Sequence, residues 1–203
     1  MKMTCHHTLD LHCERDASLK GEQLGYVLGA MHWLEKSVGE VLSKKLDEEY
    51  YNNISFSYAF FMDGLQHIIK HFDRQPKFLD VGCGLGTKCF LAGCLGYVPT
   101  GLDCNPNYLK VVKQMGKGLN GGFQPIKMIE ADGITFDHYD EYDVIYWYLP
   151  IRDPAMMIKL SDAIFEGAKP GTVLFPASLV SWRHGDKCER IDIIPKLQYF
   201  IKK

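Results

Sequence analysis

Two hydrophobic rhythms divide the chain at Pro76. Before it, apolar residues recur at three- and four-residue steps: Leu24, Val27, Leu28, Met31, Leu34, Val38, Val41 and Leu42, then Tyr58, Phe61, Leu65, Ile68, Ile69 and Phe72. That period predicts two amphipathic helices, the second ending before Pro76. Gly21, Gly25 and Gly29 add a smooth stripe to the first. After Pro76, short apolar runs (Phe78–Val81, Pro99–Leu102, Ile126–Ile129, Val144–Tyr148, Thr172–Pro176) alternate with helical stretches at Thr87–Leu95, Asn107–Met115 and Asp153–Glu166. Strands alternating with helices of this length stack as βαβ units into a parallel sheet. The expected fold is a doubly wound, mostly parallel α/β sheet with an N-terminal helical extension. One domain is expected, with a loose terminus at 1–17, a helical cap at 18–75, a core at 76–178 and a short tail at 179–203. "CERIDII" and "KLQYFIKK" in that tail each read as a strand, leaving the last helix reduced or lost.

Composition narrows the function classes. The chain has 203 residues, 46% of them apolar and 24% charged, which suits a globular protein with a full core. A formal net charge of −2 gives no general attraction to nucleic acid or anionic lipid. No apolar run reaches the roughly 18 residues of a membrane helix, and no secretory leader opens the sequence. The 7 cysteines include no Cys-x-x-Cys pair, and Cys89 and Cys94 fall at core positions, as reduced cytoplasmic thiols do.

The chemistry concentrates in "FLDVGCGLGT", residues 78–87. Gly82, Gly84 and Gly86 sit between the first strand and its helix, at the sheet edge where open α/β folds bind ligands. Asp103 ends the next strand, placed to accept hydrogen bonds from both hydroxyls of a ribose. Asp80, inside the first strand, would repel a pyrophosphate and suits a ligand with a cationic amino group. S-adenosylmethionine carries that group, an adenosine and no phosphate.

These segments resemble the class I S-adenosylmethionine-dependent methyltransferases over about residues 77–175. "FLDVGCGLGT" is similar to that family's first motif and "GLDCNP" to its second. "EADGITF" resembles the third, "YDVIYWYLP" the fourth, and "AKPGTVLF" the turn into the fifth strand. The resemblance implies Asp80, Gly82 and Cys83 near the methionine end, with Gly84 and Gly86 beneath the ribose. Asp103, Cys104 and Asn105 fall on the ribose side and Asp132 and Gly133 beside the adenine. Trp147 or Tyr148 stands next to the reactive methyl. Independently of the resemblance, the aromatic-rich connection "EEYYNNISFSY" at 48–58 reads as a lid over the methionine half of the cofactor, with Tyr51 or Tyr58 reaching its carboxylate.

Each residue also has a structural reading. The glycines make a tight turn, Asp103 caps a helix, Asp132-Gly133 is a turn pair, and Tyr146, Trp147 and Tyr148 are sheet core. Lysines 110, 113, 117 and 127 read as a solvated face. "YLPI", 148–151, lacks the acid or amide that base-modifying relatives place there, so nucleic acid is not the expected acceptor; a small molecule or a protein side chain is. Tyr148, His184 and Asp153 are the candidate bases. "CHHTLDLHC", residues 5–13, holds ligand-type side chains at spacings that fit a structural zinc site loosely, and no metal is expected. Two other readings stay open: a non-catalytic cofactor-binding subunit, and a nicotinamide-dependent oxidoreductase, which would have to explain Asp80.

Overall fold

The computed structural model of the chain describes residues 56–110, 112, 126–179, 182–195 and 197–203. The 1–17 terminus, the first helix and most of the 48–58 connection therefore lie outside the described residues. Helix α1 spans Tyr58–Ile68 and tightens into a 3-10 turn at Ile69–His71. Strand β1 (Lys77–Val81) leads through the glycine loop into α2 (Thr87–Cys94) and then β2 (Val98–Asp103). After a helical turn at 106–110 come β3 (Lys127–Glu130), β4 (Val144–Trp147), α3 (Pro154–Gly167) and β5 (Val173–Pro176). Strands β6 (Cys188–Ile194) and β7 (Leu197–Lys202) follow.

The seven strands form one sheet in the order β3-β2-β1-β4-β5-β7-β6. The first five are parallel, while β7 runs antiparallel to both β5 and β6. Strand order reverses between β1 and β4, and that switch opens a crevice at the carboxyl edge. Alternation along each strand splits the core into two layers. Phe78, Val144, Tyr146, Val173, Phe175 and Tyr199 face α1 and α2, where Phe61, Leu65, Ile68 and Leu91 meet them. Leu79, Val81, Ile145, Trp147, Leu174 and Phe200 face α3 with Leu160 and Ile164. A Cβ on Gly64 would stand 2.5 Å from Cζ of Phe175, so α1 seats directly on β5 at that point.

Among the described residues the expected strands β1–β5 and the helices α1, α2 and α3 are present, with ends moved by a residue or so. Of the helix expected at Asn107–Met115 only 106–110 and 112 are described. Both expected tail strands form, β6 over the whole of "CERIDII" and β7 over Leu197–Lys202. Only a 3-10 turn at Gly185–Lys187 stands before β6 among the described residues, yet the antiparallel hairpin is complete. A hairpin needs few residues because its strands hydrogen-bond to each other through a short turn. No described helix is long and apolar enough to cross a membrane.

Candidate functional site

Gly82, Gly84 and Gly86 have φ of 76°, 51° and 68°, a region that side-chain-bearing residues rarely adopt. At Gly82 the need is steric as well, because a Cβ would fall 2.2 Å from Cβ of Pro150. The loop is held by backbone bonds. Gly82 and Cys83 donate to the Leu102 carbonyl at 2.8 and 3.1 Å, and Gly86 donates to Cys83 at 2.8 Å.

Asp103 fastens this loop to the next one. Its Oδ2 accepts the Gly84 N–H at 2.8 Å and its Oδ1 the Asn105 N–H at 2.8 Å. The carboxyl is buried, which raises its pKa, while the two backbone N–H bonds partly offset that rise. Asn105 in turn accepts the Asn107 N–H at 3.0 Å and caps the turn at 106–110. The cap that the structural reading gave to Asp103 is therefore taken by its neighbour Asn105.

Asp80 is 3% exposed, and the Cys89 thiol lies 3.8 Å from its Oδ2. Burial, with the nearby carboxylate adding to it, pushes the Cys89 thiol well above the ordinary range; burial does the same to Cys83. Neither is therefore a ready nucleophile. Cys104 is exposed.

The remaining candidates divide. Asp132 and Gly133 follow β3 at the same carboxyl edge; Asp132 is exposed and its Oδ1 accepts the Ile134 N–H at 2.9 Å. Gly133 is tightly enclosed, a Cβ there standing 2.7 Å from Leu160 and 3.1 Å from Val81. The Tyr139 hydroxyl donates to its carbonyl at 2.6 Å. Tyr148 is half-buried after β4, its ring centroid 5.3 Å from that of Phe56. Trp147 points to the opposite face, 1% exposed and 5.8 Å from the Trp182 ring. Between Tyr148 and Pro150, Leu149 has a φ of 43°, the only positive-φ non-glycine residue among those described. Strain of this kind persists where the surroundings over-determine it, here where Pro150 is pressed against Gly82.

Asp153 caps α3, its Oδ1 accepting the Met156 N–H at 2.8 Å. His184 lies elsewhere. Its Nε2 is 2.7 Å from Asp162, and its ring stacks on Phe165 at 4.1 Å. The residues that follow pair with the end of β7, which itself lies beside the start of β5. Expected near the cleft from its position after β5, His184 instead sits toward the amino-terminal edge of the parallel strands. The chain turns back across the sheet's face before β6 begins.

One site residue escaped sequence reading. Lys88, in the first turn of α2, is 6% exposed. Its Nζ donates to the Phe56 carbonyl at 2.8 Å and lies 3.6 Å from the Tyr58 ring centroid. A cation at a helix N-terminus opposes the helix dipole, and that mismatch was the available signal. Lys88 ties the start of α1, including Tyr58, to the helix that leaves the glycine loop.

A scan of protein-family models finds no match, and a search of curated protein sequences finds none either. Solved structures do match. An RNA methyltransferase from Salinibacter ruber, in complex with S-adenosyl-L-homocysteine, aligns with a TM-score of 0.51 at 18% identity, over 72% of this chain and 91% of that one. A S-adenosylmethionine-dependent methyltransferase from Clostridium acetobutylicum aligns with a TM-score of 0.50 at 15% identity, over 83% of this chain and 65% of that one. One from Methanosarcina mazei has a TM-score of 0.47 at 22% identity, over 54% of this chain and 55% of that one. The chain therefore spans about half to two thirds of the latter two proteins. The likeness is one of architecture: this chain has the class I S-adenosylmethionine-dependent methyltransferase fold.

Proposed function

We propose that the protein is an S-adenosylmethionine-dependent methyltransferase that transfers a methyl group to an oxygen or nitrogen atom of a small molecule or a protein side chain. The observation that carries this reading is the bond between Asp103 and Gly84. It sets a buried carboxylate directly against a glycine loop at the carboxyl edge of the sheet. Each carboxylate oxygen accepts more than one hydrogen bond, so ribose hydroxyls add to the backbone bonds already made. The positive-φ glycines let backbone approach the ligand closely. Asp80 provides negative charge for a cationic amino group, and Asp132 an acceptor for the adenine amino group. The donor set fits S-adenosylmethionine.

The cofactor supplies a methyl group already activated on a sulfonium. The chain's own residues then mainly align the acceptor and exclude water, so proximity carries much of the barrier reduction. Phe56 and Tyr148 offer an aromatic wall for this, and Lys88 holds the Phe56 end in place. Tyr148 and Asp153 remain the candidate bases on this edge, Asp153 sharing its carboxylate with a helix cap.

Calorimetric titration with S-adenosylmethionine, S-adenosylhomocysteine and NAD tests the ligand class. Binding of the first two and not the third is expected; the reverse would return the oxidoreductase reading. Turnover to S-adenosylhomocysteine with a panel of amine, hydroxyl and protein acceptors then tests catalysis. Tyr148-Leu149-Pro150 brings no acid or amide to the end of β4, which favours a second reading: a partner subunit that keeps the cofactor site without catalysis. Tight binding combined with no turnover beside any acceptor would support it.

A further inference from the structure

His67 lies in the last turn of α1, and His71 closes the 3-10 turn that follows. Four residues apart, they share one helical face. Both rings turn toward one atom. The Nδ1 of His67 lies 3.4 Å, and the Nε2 of His71 2.5 Å, from the Oη of Tyr199 in β7. Tyr199 is buried, His67 half-buried and His71 exposed, so the cluster opens to solvent on one side.

A hydrogen-bonded network accounts for part of this. The tyrosine donates its proton to one imidazole and accepts an N–H from the other. The same three atoms also have the chemistry of metal ligands and converge on one point. Neighbouring ligands of a tetrahedral ion with bonds of 2.0–2.1 Å stand roughly 3.3 Å apart. The His67 distance is close to that value, and the exposed His71 ring would swing outward by about 0.8 Å to reach it.

We propose that His67, His71 and Tyr199 form a site for a divalent transition-metal ion of the zinc or copper class, which fastens α1 to β7. Imidazole nitrogens select this class over magnesium or calcium, which prefer oxygen ligands throughout. Three protein ligands leave a fourth position, on the exposed side of His71, for water. Among the described residues no three His, Cys, Asp or Glu side chains make a metal site, and here the third ligand is a tyrosine. On binding, three metal–ligand bonds replace the hydrogen bonds, and the Tyr199 hydroxyl proton passes to solvent. Neither ion nor protein changes oxidation state. Burial, and after it the Glu189 carboxylate, raise the Tyr199 hydroxyl above its ordinary range, which opposes that proton loss. The cation offsets this, and the same Glu189 charge attracts it.

Zinc chloride titrated into the full chain at neutral pH tests the site. Residues 5–13 also carry cysteine and histidine, so the readout is the difference between variants. Wild type is expected to show a zinc-dependent tyrosinate absorbance change and a rise in thermal midpoint. His71→Ala should weaken the binding phase that carries both signals at least tenfold, and Tyr199→Phe should abolish the absorbance change. Identical zinc isotherms and stabilisation in wild type and a His67→Ala/His71→Ala double variant would overturn the site. Should the double variant fail to fold, the solvent-exposed His71→Gln gives the same comparison. Zinc binding without any tyrosinate signal would remove Tyr199 from the ligand set and overturn the site as stated.

Discussion

The carboxylate of Asp103 and the backbone N–H of Gly84 are bonded at 2.8 Å across 19 positions of sequence. One contact therefore sets both the shape of the glycine loop and the position of the acid beside it. Asp103→Ala removes the loop's anchor and, under the proposed function, the ribose contacts together. Cofactor binding should weaken by about 2–3 kcal/mol, read by calorimetry as a loss of roughly 30- to 150-fold. Unchanged affinity would sink the assignment of Asp103 to the ribose.

Gly82 and Gly171 separate steric from conformational demand. Both have positive φ, 76° and 84°. A Cβ on Gly82 meets Pro150 at 2.2 Å, whereas one on Gly171 meets nothing within 4 Å. Gly171→Ala should cost about 1–2 kcal/mol of stability from backbone strain alone. Gly82→Ala should cost clearly more and shift Pro150, which denaturant unfolding of the two variants compares directly.

Asp143 governs part of the acid limb of stability. It accepts both Arg74 N–H groups, at 2.7 and 2.8 Å, and the Lys77 backbone N–H at 2.9 Å, with Lys169 3.4 Å away. Burial raises its pKa, but the hydrogen bonds from Arg74 and Lys77 and the charges of Arg74 and Lys169 outweigh this and hold it below the ordinary value. The group's contribution is then fully present above its unfolded pKa of about 3.9 and is lost as pH falls through the lower folded value. Asp143→Asn should lower stability at neutral pH by about 1–2 kcal/mol, a modest figure because Arg74 is largely exposed. It should also flatten the pH dependence below pH of about 4. Parallel acid limbs in the two proteins would contradict this.

His184→Ala should leave cofactor affinity unchanged, because the imidazole is bonded to Asp162 and stacked on Phe165 toward the other edge of the sheet. Thermal stability should fall. A selective loss of turnover with intact binding would restore His184 as a candidate base.

Lys88→Met should release the Phe56 carbonyl while keeping much of the side chain's bulk. Hydrogen exchange at the start of α1 should speed up more than in β1. Equal protection in variant and wild type would show that Lys88 does not hold this segment.

The parallel core was legible because β1, β2, β4 and β5 are buried on both faces and their apolar runs stand out between helical periods. Gly82 was legible because a positive φ leaves few residue types for its position; the ligand-directed roles of Asp80 and Asp103 belong to the proposed function. Trp147, Tyr148 and His184 were harder. Which face an aromatic residue takes depends on strand phase, and the strand ended one residue earlier than its apolar run, putting Trp147 against α3 and Tyr148 beside Phe56. His184 was misplaced because no sequence signal marks the direction in which a loop recrosses a sheet. Lys88 and the His67–Tyr199–His71 cluster depend on partners far away in sequence, Tyr199 lying 132 and 128 positions from the two histidines.

The place of β7 between β5 and β6 has a kinetic consequence. Strand β6 pairs with β7 alone, so it can enter the sheet only after, or together with, its neighbour. The two strands form their own ladder through a short turn, a local event, and only the pairing of β7 with β5 joins them to the parallel strands. The hairpin is thus a docking unit: it should assemble early, attach late, and detach first when the protein opens below its global unfolding threshold. Native-state exchange at increasing denaturant should find β6 and β7 opening together while β1 and β4 remain protected.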